Sequence, residues 1–186
     1  MSVHRNASSL TKRDALARRS FHKTIFRSKL IDMQKRLIEM ATTARSFLEP
    51  VWIEWHTARG GKLPAVPSQS TCGRSSLFVV KALRHVGITA TWKTGVPRHF
   101  EGGPELGPIG FHANGRWQSH AWVEACGYII DITADQFGAA PVIVVPTGDR
   151  RYAEGTEDTA LPAFVANRTN AVEAIWPRWL TYCGHT

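Results

Sequence analysis

The chain has 186 residues, 43% of them hydrophobic and 20% charged, which is enough for one domain with a core and excludes a disordered or collagen-like chain. Its net charge of +8 is typical of proteins that bind nucleic acid or anionic membranes. That charge lies at one end, since residues 1–48 hold eleven basic and three acidic residues, whereas residues 49–186 hold twelve of each. We therefore expect a nucleic-acid contact, if one is made, only through the N-terminal segment.

Residues 1–56 are predicted to form a basic helical arm. Apolar residues recur there every three or four positions, and they share one helical face: Leu30, Met33, Leu37, Met40 or Ala41, Ala44, and Phe47 or Leu48. We expect this face to pack on the core. We also expect the helix to end at Glu49-Pro50, because the residue before a proline avoids the helical conformation.

Residues 57–186 are predicted to form a single domain, separated from the arm by glycines and prolines between 59 and 68. A helix should begin at Ser70 or Thr71 and end at Gly87, followed by a strand over 88–92. Residues 95–115 contain six glycines and three prolines, so we expect a long irregular loop there.

The remaining elements are a hairpin, a strand and a helix. The hairpin strands span 117–125 and 128–133 around Cys126-Gly127, a short strand covers 142–145, and a helix covers 167–180 with an interruption at Pro177. Helices and an antiparallel hairpin in this order predict the α+β class.

The chain contains three cysteines, Cys72, Cys126 and Cys183, widely spaced and without a CxxC motif. This pattern indicates neither a disulfide framework nor a cysteine-rich zinc site, and it favours a reducing, cytoplasmic location. No run of eighteen apolar residues and no secretory signal is visible, so we expect no membrane association.

The hairpin brings a histidine close to a carboxylate. With the turn at Cys126-Gly127, Trp122 pairs with Asp131 and His120 pairs with Thr133, so that His120 and Asp131 are diagonal neighbours on one face. A carboxylate at that separation reaches an imidazole nitrogen. Trp122 shares this face and either walls the site or packs in the core.

Cys72 falls in the first turn of the predicted helix, where unpaired peptide N–H groups and the helix dipole stabilise a thiolate. A cysteine at a helix start, with a histidine that a carboxylate orients, is the nucleophile–base–orienter combination of covalent catalysis. The sequence shows that His120 and Asp131 are close, but it does not show that Cys72 meets them.

These residues resemble a known family. The segment Ser70-Thr71-Cys72-Gly73-Arg74-Ser75-Ser76, the run His120-Ala121-Trp122-Val123-Glu124 and the run Ile130-Asp131-Ile132-Thr133 are similar to the transglutaminase-like branch of the papain-like cysteine protease superfamily. The resemblance covers residues 68–137. It implies a papain-like core, in which a helix that carries the cysteine packs on an antiparallel sheet.

The resemblance also implies residue roles. Cys72 would be the nucleophile, His120 the general base and acid, and Asp131 the orienter, for which Asp135 is the alternative. The oxyanion would bind the Cys72 backbone N–H with help from Gln69, although the family's oxyanion glutamine stands farther from its cysteine. No cofactor and no metal are expected, because the spacing of His99, His112 and His120 fits no compact zinc motif.

The leading hypothesis is a cysteine enzyme that hydrolyses or transfers an amide, peptide or acyl group through a thioester. The alternative is a non-catalytic module of the same fold, whose basic arm binds nucleic acid or an acidic protein in a salt-dependent way. A concave opening above Cys72, lined by the 95–115 loop, would favour the enzyme over the binding module.

Overall fold

The computed structural model describes residues 12–60, 62–155 and 161–184, with side chains described from residue 31 onward. The chain divides into two units, residues 1–35 and residues 36–186, and every candidate site residue belongs to the second unit. The predicted nucleic-acid contact of the arm falls largely on residues 1–30, whose side chains lie outside the described residues. The predicted division into residues 1–56 and 57–186 stays a prediction.

Three helices and seven strands make up the described fold, which confirms the α+β class. The helices are α1 (Lys12–Ala58), α2 (Cys72–His85) and α3 (Pro162–Tyr182). The strands are β1 (Ala90–Gly95), β2 (Gly110–Ala113), β3 (Arg116–Gln118), β4 (His120–Ala125), β5 (Tyr128–Asp131), β6 (Ile143–Pro146) and β7 (Tyr152–Ala153). Among these residues, no helix is both long enough and apolar enough to cross a membrane.

From Leu37 onward, helix α1 places its apolar face in the core of the second unit, as the periodicity predicts, whereas the Leu30 side chain lies outside the described residues. Buried side chains follow that face at helical spacing: Leu37, Ala41, Ala44, Phe47, Leu48, Val51 and Trp52. The predicted end at Glu49-Pro50 is wrong, because the helix continues through Pro50 to Ala58. A proline inside a helix costs about 3 kcal/mol. Burying Val51 and Trp52 directly after it returns about 1.5–3 kcal/mol for each side chain.

Two antiparallel sheets form the rest of the second unit. The first has the strand order β1-β4-β5-β6 and the second has the order β3-β2-β7. In the first sheet, Val123 pairs with Ile130 and Ala125 pairs with Tyr128, which confirms the predicted hairpin register. Positive φ angles at Cys126 (52°) and Gly127 (80°) match the two-residue turn that joins these strands.

The central strands β4 and β5 are buried on both faces. Helix α2 packs on one face, where the Ser76 hydroxyl donates a hydrogen bond of 2.9 Å to the Ala121 carbonyl. On the other face, Phe111 and Tyr152 of the second sheet pack against Trp122, Ile129 and Ile143. Helix α3 packs on α2, and Trp179 meets Phe78 edge to face at 5.2 Å.

Two of the sequence predictions fail at the second sheet. The loop predicted for residues 95–115 contains strand β2, which is joined to β3 by Asn114-Gly115. Both turn residues have positive φ angles (52° and 74°). An Asn-Gly pair is a strong hairpin signal that could have revealed this strand.

The strand predicted over 117–125 is also wrong as a single element. It breaks at Ser119, so that β3 belongs to the second sheet and β4 to the first. Side chains alternate in the same way in both strands, and periodicity therefore gives no sign of the break. The helix predicted over 167–180 is longer, Pro162–Tyr182, and Pro177 lies inside it without ending it.

Candidate active site

Cys72 is the first residue of helix α2, with Thr71 at the N-cap position. The Thr71 side chain does not cap the helix, because its hydroxyl donates a hydrogen bond of 2.7 Å to the Ser68 carbonyl. Ser70 adopts a positive φ of 58°, so the backbone turns sharply just before the helix begins. The first amides of an α-helix have no partner within the helix. The Cys72 thiol is therefore presented at a helix N-terminus, as the sequence predicts.

His120 and Asp131 form a buried pair. The His120 Nε2–H group donates a hydrogen bond of 2.6 Å to the Asp131 Oδ2 atom, and both side chains are fully shielded from solvent. His120 begins β4 and Asp131 ends β5, so the diagonal relationship predicted from the hairpin brings them into contact. A carboxylate only accepts hydrogen bonds, and the contact therefore fixes the proton on Nε2.

Asp131 has further donors that hold its carboxylate in place. Its Oδ1 atom accepts hydrogen bonds from the Thr133 backbone N–H (2.9 Å) and the Thr133 hydroxyl (3.2 Å). Its Oδ2 atom also accepts a hydrogen bond of 2.9 Å from the Tyr152 hydroxyl. These donors keep the carboxylate pointed at His120.

The other imidazole nitrogen of His120, Nδ1, is buried, and no residue in the described part of the chain forms a hydrogen bond with it. Burial lowers the pKa of His120, but the Asp131 charge and hydrogen bond, together with the nearby Cys72 sulfur, raise it to about 10. Cys72 and Ser119, the residue before His120, line the same cleft, and Nδ1 is the imidazole nitrogen that is not bound to Asp131.

The contacts within the site also shift the pKa values of Asp131 and Tyr152. Burial raises the pKa of Asp131, but the His120 charge and hydrogen bond outweigh it, and the donors from Thr133 and Tyr152 add to them, so that the pKa lies below its ordinary value. Burial and the Asp131 charge raise the pKa of Tyr152 far above its usual range. Asp131 is thus the anion of the site, and Tyr152 stays protonated as a donor.

Aromatic rings surround His120. Its imidazole lies 5.1 Å from the Phe137 ring and 5.5 Å from the Phe111 ring, measured between centroids. Trp122 lies behind it at 6.4 Å and is fully buried, so this tryptophan packs in the core and does not wall the cleft. The rings exclude water and strengthen the electrostatic contact between His120 and Asp131.

Cys72 opens onto a cleft of about 810 Å³. One wall comes from the segment before α2 and from the turn after β5. The opposite wall comes from the second sheet and the loop before it, and the residues that line the cleft with Cys72 are Gln69, Ser70, Glu101, Asn114, Arg116, Gln118, Ser119, Gln136, Phe137 and Gly138. Glu101 and Asn114 belong to the 95–115 segment, as the enzyme hypothesis requires.

The secondary candidates Gln69, Asp135 and Gln136 make different contacts in the structure. Gln69 lines the cleft together with Cys72, which is compatible with a role at the oxyanion. Asp135 does not contact His120, because its carboxylate accepts hydrogen bonds from Ser68 (2.6 Å) and Arg45 (2.7 Å). Gln136, which sequence reasoning left without a role, bridges the Ser70 N–H and the Thr133 carbonyl across the cleft's inner wall.

The other cysteines and histidines lie apart from this geometry. Cys126 is exposed at the hairpin turn, and burial raises the pKa of the half-buried Cys183 at the end of α3. His112 packs on the Trp117 ring at 5.2 Å. Within the part of the chain that the structure describes, no three His, Cys, Asp or Glu side chains are grouped to hold a metal ion.

Sequence reasoning missed Tyr152. It lies on the two-residue strand β7 and reaches Asp131 because Tyr152 pairs with Phe111 of β2. Neither strand was predicted, and a single tyrosine after a polar turn carries no signal of its own. Tyr152 could be identified only from the way the second sheet covers the first.

Comparisons with known proteins assign the chain to no family. No family model matches it, and no curated protein and no solved structure matches it either.

Proposed function

We propose that the protein is a cysteine enzyme that cleaves or transfers an amide, peptide or acyl group through a thioester on Cys72. The observation that carries the proposal is the position of His120, which is hydrogen-bonded to Asp131 through Nε2 and directly follows Ser119, a residue that lines the same cleft as Cys72. A nucleophile, a base and a group that orients the base are the three parts that covalent catalysis of this kind needs.

The charge state of the site fits this chemistry. With a pKa of about 10, His120 holds a second proton at neutral pH, which makes it an imidazolium beside the sulfur. The sulfur, placed at the N-terminus of helix α2, is the nucleophile of the proposed reaction. It attacks the carbonyl carbon of the substrate and forms a tetrahedral intermediate.

The proton balance follows from the two nitrogens. His120 keeps its Nε2 proton, which stays hydrogen-bonded to Asp131. It delivers its Nδ1 proton to the leaving amine or alcohol as the carbon–nitrogen or carbon–oxygen bond breaks. The resulting thioester is attacked by water or an amine, from which His120 takes a proton, and the Cys72 thiolate then leaves. The Cys72 backbone N–H and the Gln69 side chain are the donors proposed for the oxyanion.

The cleft supports an enzyme rather than a module that binds through its arm alone. A polar opening of about 810 Å³ above Cys72 admits a substrate to the sulfur.

We further propose that the fold belongs to the transglutaminase-like branch of the papain-like superfamily. The support is the chain order Cys72, His120, Asp131 and a cysteine-bearing helix packed on an antiparallel sheet.

Acyl transfer to Cys72 is the direct test. The protein is incubated with activated thioesters and with peptide and amide acyl donors, and the acylated residue is then identified by mass spectrometry. We expect a covalent adduct on Cys72 and not on Cys126 or Cys183, and loss of that adduct in Cys72→Ala. Cys183→Ala is the matched control and should acylate like the parent protein.

The pH dependence of alkylation is a second measurement on the same proteins. Iodoacetamide should label Cys72 faster than Cys183 near neutral pH, and His120→Ala should remove the difference. Equal labelling of Cys72 and Cys183, without an acyl adduct from any donor, would overturn the proposal and leave the non-catalytic module as the better hypothesis.

A further inference from the structure

Arg45 lies on helix α1, outside the segment that carries the family resemblance, yet most of its side chain is shielded from solvent. Its side chain is 13% exposed, and the Nη1, Nη2 and Nε atoms all donate hydrogen bonds. The guanidinium also lies over the Trp52 ring at 5.1 Å. Such a group is held in one geometry by its partners, and it fixes them in turn.

One set of hydrogen-bond partners of Arg45 leads to Asp131, the residue proposed to orient His120. Nη1 donates to the Ile132 carbonyl at 2.7 Å and to the Pro141 carbonyl at 2.9 Å. Ile132 directly follows Asp131, and Pro141 lies two residues before strand β6, which pairs with the strand of Asp131. Arg45 therefore ties together both ends of the turn that follows Asp131.

The other partner leads to the nucleophile. Nη2 donates to the Asp135 Oδ2 atom at 2.7 Å, and the Oδ1 atom of the same carboxylate accepts a hydrogen bond of 2.6 Å from the Ser68 hydroxyl. Ser68 is fully buried, and its carbonyl accepts hydrogen bonds from both the hydroxyl (2.7 Å) and the N–H (3.1 Å) of Thr71. Thr71 is the residue before Cys72.

A second connection from the same helix reinforces the first. The Trp52 Nε1–H group donates to the Ser75 hydroxyl at 2.9 Å, and that hydroxyl donates to the Thr71 Oγ1 atom at 3.2 Å. Trp52 is the ring on which the Arg45 guanidinium lies. Helix α1 thus contacts the start of α2 through Asp135 and Ser68, and again through Trp52 and Ser75.

We propose that Arg45 is a positioning residue of the site, which sets the Cys72 segment and the Asp131 segment relative to each other through one guanidinium fork. The inference rests on the proposed function for its meaning in catalysis. Arg45 itself touches neither Cys72 nor His120. Its role is to hold the nucleophile at the separation from His120 that proton transfer requires, since displacements of about 1 Å cost up to about a hundredfold in rate.

The geometry explains why an arginine is needed. Two carbonyls and one carboxylate around a planar fork demand donors in several fixed directions, which a lysine ammonium on a flexible stem does not supply. The Asp135 carboxylate is the common acceptor for Arg45 and Ser68, so removal of the arginine leaves a mostly buried charge beside the Cys72 segment.

The test compares Arg45→Met, which keeps an alkyl chain on Trp52, with Arg178→Met. Arg178 forms a two-pronged ion pair with Glu54 of α1 at 2.7 and 2.8 Å, on the exposed surface away from the site. Arg45 is part of α1 and Arg178 is paired with it, so both variants remove an arginine contact of this helix. Only Arg45→Met changes contacts with the segments that precede Cys72 and follow Asp131. Thermal unfolding establishes that each variant is folded.

Two readouts follow the two halves of the site. The first is the rate at which iodoacetamide alkylates Cys72, measured against Cys183 in the same molecule over a pH range. The second is the downfield proton resonance of the His120 Nε2–H group. We expect Arg45→Met to slow Cys72 alkylation by about tenfold and to shift or broaden the resonance, and Arg178→Met to change neither.

Rescue separates positioning from general stabilisation. Methylguanidinium added to Arg45→Ala should recover part of the Cys72 alkylation rate and should have no effect on Arg178→Met. If Arg45→Met and Arg45→Ala do not fold, Arg45→Lys carries the same two readouts, with an intermediate loss expected. A folded Arg45 variant with the parent's alkylation profile and the parent's resonance would overturn the inference.

The readouts also distinguish this inference from the proposed function. Neither uses a substrate, so a protein that forms no thioester with any donor would refute the enzyme while leaving the Arg45 measurements informative. The resonance of His120 does not depend on Cys72 being reactive, and its change in Arg45→Met supports positioning even if Cys72 reacts no faster than Cys183.

Discussion

Tyr152 and His120 donate hydrogen bonds to the same oxygen, Asp131 Oδ2, at 2.9 and 2.6 Å. The tyrosine comes from the second sheet and the histidine from the first, so the carboxylate lies where the two sheets meet. The contact couples the packing of the sheets to the orientation of the imidazole. A substitution on β7 is therefore expected to change the orientation of the His120 imidazole.

Tyr152→Phe tests this coupling. The substitution keeps the ring but removes a donor from a buried carboxylate, which should lower the free energy of unfolding by about 1–3 kcal/mol. It should also raise the pKa of Asp131, since the Tyr152 hydroxyl is one of the donors that lower it. Denaturant titration and NMR titration of the Asp131 carboxyl measure the two effects. Tyr182→Phe, in which the side chain is half exposed, should leave both unchanged.

The stability of the fold should depend on pH through the His120–Asp131 pair. The pKa of His120 is raised from 6.5 to about 10, so its contribution is complete below pH 6.5 and is lost as the pH rises towards 10. The pKa of Asp131 is lowered from 3.8, so its contribution is present above that value and is lost at more acidic pH.

The free energy of unfolding, measured by denaturant titration between pH 3 and pH 10, should therefore be highest between about pH 4 and 6.5 for this pair. His120→Gln removes the titrating imidazole, and the fall towards pH 10 should become shallower. An unchanged alkaline slope in His120→Gln would show that the pair does not control the stability in this range.

Asp131→Asn should separate orientation from folding. The amide has nearly the shape of the carboxylate but carries no charge and offers its NH₂ group as a donor, so His120 loses the acceptor that fixes its Nε2 proton. We expect the rate of Cys72 acylation to fall by about a hundredfold or more. Asp135→Asn tests the alternative orienter: it weakens the contacts of Asp135 with Arg45 and Ser68, so a smaller loss is expected, and a loss larger than that of Asp131→Asn would favour Asp135 as the orienter.

Gly110→Ala should destabilise the second sheet strongly. Gly110 has a φ of +98°, and a Cβ atom there would collide with the Gln118 backbone carbonyl and approach the Gly95 carbonyl at 2.9 Å. We expect a loss of more than about 3 kcal/mol, measured by denaturant unfolding. Gly115→Ala, at a φ of +74° with no atom within 4 Å of the added Cβ, should cost only about 1–2 kcal/mol.

The sequence was sufficient for the local features of the site. The alternation of side chains around Cys126-Gly127 predicted the register that brings His120 to Asp131, because strand pairing next to a two-residue turn leaves one register. The start of α2 at Cys72 followed equally from local signals. Prediction failed at Pro50, where burial of Trp52 outweighs a local helix-breaking preference.

Only the tertiary structure decided what surrounds these residues. The charge balance, the α+β class, and the pairing of His120 with Asp131 follow from composition and from neighbours along the chain. The contacts of Arg45 with Ile132 and Asp135, and of Tyr152 with Asp131, join residues between 21 and 90 positions apart. Such contacts depend on how helices and sheets pack on one another, and hydrophobic periodicity reports which face is buried without reporting what covers it.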